Sequence, residues 1–145
     1  MIDLRPAERA DAPFLWSVHR SAMKRYVEAT WGWDEEFQRE HFAERSRQLA
    51  SIQIIRFQGQ DIGFISVNRS GRRWFLETIE IQSQHQRKGV GTKLITDLAE
   101  DARFQRSLVG LQVLKVNPAR ALYERLGFRS RSESETHFVM EKAPR

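Results

Sequence analysis

Residues 86–94, QRKGVGTKL, set two glycines and three cationic side chains between an apolar run and an amphipathic segment. Gly89 and Gly91 let the backbone turn tightly and approach a ligand closely, because no Cβ intervenes. If a helix starts here, its first amides lack intrahelical acceptors and point outward as donors at the positive end of the dipole. Arg87, Lys88 and Lys93 add full charges beside them. A pyrophosphate is the natural guest of such a turn, although a plain strand-to-helix connection dressed with surface cations fits the same residues. Two familiar phosphate loops are excluded by spacing. A P-loop needs G-x-x-x-x-G-K-[ST], and here Thr92 precedes Lys93; a dinucleotide fingerprint needs a third glycine where Leu94 stands.

Working outward, Val90, Leu94, Ile95, Leu98 and Ala102 form an apolar stripe at helical spacing after the glycines. Upstream, RWFLETIEIQSQ alternates Phe75, Glu77, Ile79 and Ile81 against Trp74, Leu76, Thr78 and Glu80, a strand with mixed faces. SIQIIRFQGQ and DIGFISVNRS before it are short β-rich runs joined at Gly59 to Asp61 as a hairpin. MIDLRPA is a first strand stopped by Pro6. A helix pair follows: Phe14, Leu15, Val18, Ala22, Tyr26 and Ala29 mark the first helix, with Asp11 and Pro13 as start signals, and Asp34 caps the second, EEFQREHFAERSR. Downstream, LVGLQVLKV is a buried strand and NPARALYERLGF a short helix capped by Asn117, with Gly127 past its end. RSRSESE is a polar turn and THFVMEK the last strand.

The chain has 145 residues, enough for one domain with a genuine core, and neither a repeat nor a linker divides it. It contains no cysteine, which removes disulfides, thiolate catalysis and cysteine zinc sites together. His19, His41, His85 and His137 lack metal-ligand spacing, so no metal is expected. No apolar run reaches membrane length and the N-terminus has no signal-peptide core, so a cytoplasmic setting is expected, with no membrane partner. The net charge of +5 raises the question of nucleic acid, but the cations are scattered among acids and the aromatics sit within apolar periodicity. No nucleic-acid partner is expected.

QRKGVG, following LETIEIQSQH and opening an amphipathic helix, resembles the [QR]-x-x-G-x-[GA] motif of the GNAT superfamily of acyl-CoA-dependent N-acetyltransferases. LQVLKVNPARALYERLGF resembles that superfamily's second signature, a strand followed by Asn and Leu-Tyr-x-x-x-Gly-Phe. Two motifs in order are far more specific than either alone, and the resemblance covers roughly residues 51–140. It implies an α+β, GNAT-like single domain over residues 1–145: a mainly antiparallel mixed sheet of about six or seven strands flanked by about four helices. It also implies acetyl-CoA as cosubstrate, with the pyrophosphate on the backbone of Gln86, Arg87, Lys88, Gly89, Val90, Gly91 and Thr92. The pantetheine arm would run along Ile79 to Ile81 like an added strand, and the thioester would lie where that strand and the one carrying Val113 splay apart. Tyr123 stands where the family's tyrosine commonly protonates the coenzyme sulfur; its alternative is a core aromatic beside Leu122, Leu126 and Phe128. One departure concerns Asn117, which precedes Tyr123 by six residues where many members have seven. It serves as a helix cap or as a coenzyme contact.

Acetylation of an amine needs a neutral amine, stabilisation of the developing oxyanion and a proton for the leaving thiolate. Glu80 and Glu77 lie on the strand flanking the thioester, and strict alternation sends them to opposite faces; either is a candidate base, or an ion-paired strand glutamate. With no cysteine, direct attack of the amine on the thioester is expected. Tyr26, Trp31 and Trp33, interleaved with Glu28, Asp34 and Glu35, fit an acceptor pocket for a cationic amine as well as a helix corner with buried indoles. The expected function is acetyl transfer from acetyl-CoA to a primary amine of a small molecule or peptide. The alternative is a non-catalytic acyl-CoA-binding sensor on the same fold. The oligomeric state is open, and a homodimer is compatible with the sequence.

Overall fold

The computed structural model describes residues 1–48 and 52–145. The chain runs β1 (Ile2–Pro6), α1 (Ala12–Trp31), α2 (Glu35–Gln48), β2 (Ile52–Phe57), β3 (Gln60–Ser70), β4 (Arg73–Ile81), α3 (Val90–Phe104), β5 (Leu108–Leu114), α4 (Ala119–Arg125), β6 (Arg129–Glu133) and β7 (His137–Lys142). Single 3₁₀ turns precede α1 at Arg9–Asp11 and α3 at Ser83–His85. Among the described residues the seven strands form one sheet ordered β1-β2-β3-β4-β5-β7-β6. Every neighbouring pair is antiparallel except β4 and β5. The expected α+β domain with a mainly antiparallel mixed sheet and four helices is the observed one.

Both faces of the sheet are covered. On one, Val90, Leu94, Ile95, Leu98 and Ala102 of α3 pack with Tyr123 of α4 on Trp74, Leu76, Val109, Leu111 and Met140. On the other, Leu15 and Val18 of α1 and Phe42 of α2 pack on Ile54 and Phe64. The α3 stripe is the one its sequence spacing predicts. The α1 stripe is not: it buries Leu15, Val18, His19, Ala22 and Val27, while Ala29 is exposed. Passing over His19 as polar pulls the apparent stripe off axis.

Asp34 caps α2 as expected, its Oδ1 accepting the Phe37 amide at 3.0 Å. Asp11 stands at the N-cap position of α1, as its start signal implies, but makes no side-chain cap bond; its carboxylate accepts the Glu8 amide and both terminal guanidinium nitrogens of Arg5, tying the 3₁₀ turn to β1. The β2–β3 hairpin turns at Gln58 and Gly59, both with positive φ (54° and 79°), one residue before the predicted position. Two left-handed residues make the tight turn whose twist suits paired strands. Ser51, the predicted start of that hairpin, lies outside the described residues. RSRSE, predicted as a turn, is instead edge strand β6, paired with β7. All five of its residues are exposed, so it carries no apolar alternation for the sequence to reveal.

β4 contains the irregularity that matters most. Ser66 of β3 pairs with Thr78 and Val67 with Leu76, so Glu77 is an extra residue without a β3 partner. Such a bulge reverses the alternation of everything beyond it. Trp74 and Leu76 face α3 before the bulge, and Ile79 and Ile81 face it afterwards. Glu80 therefore turns towards α1, where it meets His19. The Glu77 carboxylate lies on the same side, accepting the hydroxyl of Ser66 at 2.9 Å. The predicted placement of the two glutamates on opposite faces is thus overturned, because alternation presumes an unbulged strand.

Candidate active site

β4 and β5 pair only at Arg73–Leu108, Trp74–Val109 and Phe75–Gly110. Beyond Phe75 the strands diverge, and the gap is a cleft of about 750 Å³ that reaches both faces of the sheet. Its wall includes Glu77, Thr78, Ile79 and Glu80 of β4, Leu111 and Val113 of β5, Asn117, and Tyr123 of α4. His19, Trp31, Phe37 and Arg45 enclose it from α1, the α1–α2 corner and α2. The unpaired flank of β4 offers backbone groups to an amide-bearing ligand, which adds to a sheet as a strand does.

At the end of β4 the chain enters the glycine turn. The Gln86 side-chain amide donates to the Ile81 carbonyl at 2.8 Å and fastens the turn to the strand. Arg87 and Gly89 both have positive φ, 63° and 84°, and Gly89 directly precedes the first residue of α3. The first helix amide with a backbone acceptor is that of Lys93, which bonds the Gly89 carbonyl at 3.0 Å. The amides of Val90, Gly91 and Thr92 therefore lack backbone acceptors, as at any helix start, and are free to donate to an anion. Gly91 has ordinary helical backbone, and a Cβ there would meet only Ile81 Cδ1 at 3.8 Å. Its lack of a side chain leaves open space beside those amides, while its own conformation is one that any residue adopts.

Glu80 is 4% exposed. Its Oε1 lies 2.7 Å from His19 Nδ1, its Oε2 accepts the Thr78 hydroxyl at 2.6 Å, and Arg45 approaches Oε2 at 3.6 Å. Burial is the largest influence on this carboxyl and would raise its pKa. The attraction and hydrogen bond of His19, the Thr78 hydroxyl and the Arg45 charge together outweigh it and hold the pKa below the ordinary 4.5. Glu80 is accordingly ionised at neutral pH. Tyr123 is 7% exposed, its ring edge-on to Phe128 at 5.7 Å. Burial first, and the negative charge of Glu80 second, push its hydroxyl to about 12, so it keeps its proton. Asn117 Oδ1 accepts the Ala119 amide at 2.9 Å, the bond of a helix cap, and the same residue borders the cleft.

Of the residues named from sequence, the cleft gathers Glu77, Ile79, Glu80, Asn117, Tyr123 and Trp31. Tyr26 and Trp33 are not in its wall. Trp33 stacks on Trp16 at 6.1 Å, donates its indole N–H to Glu35 at 2.8 Å and carries Lys24 over its ring at 5.8 Å. Glu35 in turn holds Arg20. That helix corner satisfies itself. His19, Thr78 and Arg45 were not anticipated: His19 meets Glu80 across 61 residues of sequence, which no local pattern encodes.

The sheet thus splits beyond Phe75, and the longer arm, β4, leads into a helix start with free amide donors. The model of the acetyltransferase (GNAT) family matches residues 15–128, and the chain belongs to that family. It is an acetyl-CoA-dependent N-acetyltransferase, with acetyl-CoA as its cosubstrate. Among solved structures, it is similar to the PaiA N-acetyltransferase of Thermoplasma acidophilum in complex with coenzyme A (20% identity, 99% of each chain, TM-score 0.74). It is also similar to the ribosomal-protein-S18-alanine N-acetyltransferase of Escherichia coli (19% identity, 99% of this chain and 94% of that one, TM-score 0.71). A third is the spermidine N-acetyltransferase of Vibrio cholerae in complex with CoA and spermine (20% identity, 99% and 95%, TM-score 0.69). A sequence search of curated proteins returned no match. Among the described residues no helix is long and apolar enough to cross a membrane.

Proposed function

We propose that the protein transfers acetyl from acetyl-CoA to a primary amine by direct attack in the cleft between β4 and β5. The observation that carries this reading is the convergence of Glu77, Glu80, Thr78 and Tyr123 on one cavity at the point where the two strands part. The backbone from Gln86 to Thr92 would hold the pyrophosphate, and the unpaired flank of Ile79 to Ile81 would carry the pantetheine arm. Asn117 is read chiefly as the cap of α4.

In the reaction the bound ammonium first gives one proton to a carboxylate. The neutral nitrogen then bonds to the acetyl carbon, the carbon–sulfur bond breaks, and the second proton shed by nitrogen balances the one taken up by the departing thiolate. Glu80, ionised and held by His19 and Thr78, draws the ammonium into the cleft. Glu77, anchored by one hydrogen bond from Ser66, is the better placed to take the proton, directly or through water. Tyr123, still protonated at working pH, donates to the departing thiolate.

The test is a thiol-release assay with acetyl-CoA and a set of primary amines. The chain has no cysteine, so every thiol detected is coenzyme. Amine-dependent release, lost in Glu77→Gln by about a hundredfold or more, is the expected result. Absence of release from any amine, with acetyl-CoA bound, would favour the non-catalytic sensor.

A further inference from the structure

We infer that the acceptor is a primary amine carried on a flat, uncharged aromatic body, an arylalkylamine, and not a polyamine. This rests on the transferase reading above. Six large apolar residues of the described chain are exposed, and three of them, Trp31 (59%), Phe37 (58%) and Phe75 (38%), line the same cleft. Exposed aromatics gathered in one concavity are surface awaiting an apolar guest, whereas scattered ones need no explanation.

The rings beside them extend the aromatic wall. His137 lies 6.1 Å from Trp31, and His41 stacks on Phe37 at 5.7 Å. Partial burial lowers the pKa of His137, which favours the neutral ring beside the indole. The charges of the wall argue against a second cation on the acceptor. Glu77 and Glu80 are the only acids among the described residues lining the cleft, and Arg45 borders it beside Glu80. Glu35, beside this corner, holds Arg20 and the Trp33 indole. One ammonium is satisfied at the Glu77–Glu80 end; a second would find no further carboxylate among the described lining residues and would meet Arg45. The acceptor therefore enters amine first, with its ring resting on Trp31, Phe37 and Phe75. The nitrogen displaces the coenzyme thiol from the acetyl group, giving the amide and free coenzyme A.

The experiment measures kcat/KM by thiol release for tryptamine, 2-phenylethylamine, propylamine, spermidine and an alanine-initiated pentapeptide, with acetyl-CoA binding followed separately by thermal shift. Expected is a preference of at least tenfold for the arylalkylamines over propylamine, which offers the same reacting group without the ring. That ratio should collapse towards one in Trp31→Ala/Phe37→Ala, mainly through KM. Both residues are more than half exposed, so the variant is expected to fold, and its thermal shift with acetyl-CoA serves as the check. Spermidine or the pentapeptide as the best acceptor, or a ratio that survives the double substitution, overturns the inference and leaves the transferase reading standing. Thiol release from none of the amines, with the acetyl-CoA shift intact, removes both.

Discussion

Removing His19 should cost the protein a large part of its stability, and it should do so through Glu80. The imidazole is 5% exposed and lies 2.7 Å from a carboxylate that is 4% exposed, so neither group has water to fall back on. His19→Ala deletes a hydrogen bond to a charged acceptor, about 1.5–3 kcal/mol, and leaves a void beside Phe42, whose ring stacks on His19 at 4.3 Å. Thr78 and Arg45 still hold the other carboxylate oxygen, which keeps the loss below that of an isolated buried charge. The sum is about 2–4 kcal/mol, or roughly 5–15 °C in Tm for a domain of this size. A double-mutant cycle with Glu80→Gln, followed by chemical denaturation, isolates the pair, and a coupling of about 1.5–3 kcal/mol is expected at pH 7. The pH dependence has a fixed sign. The folded pKa of Glu80 lies below the ordinary 4.5, so the contribution is fully present above that value and is lost as pH falls through the folded one. Glu80→Gln should therefore show a shallower loss of stability on acidification than the wild type. Additivity of the two substitutions within about 0.5 kcal/mol at pH 7 would refute the reasoning.

Two other substitutions bear on the site. Tyr123→Phe should lower kcat by about a hundredfold or more and leave the acetyl-CoA affinity within about twofold, as steady-state kinetics and calorimetric titration will read; equal turnover removes Tyr123 from the mechanism. Gly63→Ala sets a Cβ 2.2 Å from the Glu80 carbonyl oxygen and 3.0 Å from Ile81 Cα, both backbone, so β4 must move where the bulged segment bears the carboxylates. A loss of about 2 kcal/mol or more by denaturant titration, with reduced turnover, is expected. An unchanged midpoint would mean that the strand yields freely.

The parts legible in the sequence are those that local chemistry encodes. The α3 stripe, the tight turn at Gly89, the Asp34 cap and the Asn117 bond at the start of α4 each depend on residues a few positions apart, and each is found. The bulge at Glu77 was not legible, because RWFLETIEI alternates acceptably in either register and only pairing with β3 reveals the extra residue. His19 went unread for a related reason: a polar residue in an apolar stripe looks like an interruption until its partner, 61 residues away, is known. Strand β6 gave no signal at all, since an edge strand exposed on both faces needs no apolar alternation. For the aromatic corner, composition suggested a cationic guest. The structure has Trp33 and Glu35 answering each other, with Trp31 alone of the three named aromatics turned to the cleft.

The most direct test of the account is calorimetric titration of acetyl-CoA into the wild-type protein and into Gly91→Glu. A Cβ at this position meets no backbone and the residue is not left-handed, so the variant tests the charge and space at the helix start and not the fold. A carboxylate about 4 Å from a phosphate costs roughly 1–4 kcal/mol between aqueous and protein-surface dielectrics. The account predicts saturable one-to-one binding in the wild type, weakened at least about tenfold in Gly91→Glu. Equal affinity in the two proteins would contradict it, because the pyrophosphate would then lie somewhere other than the start of α3.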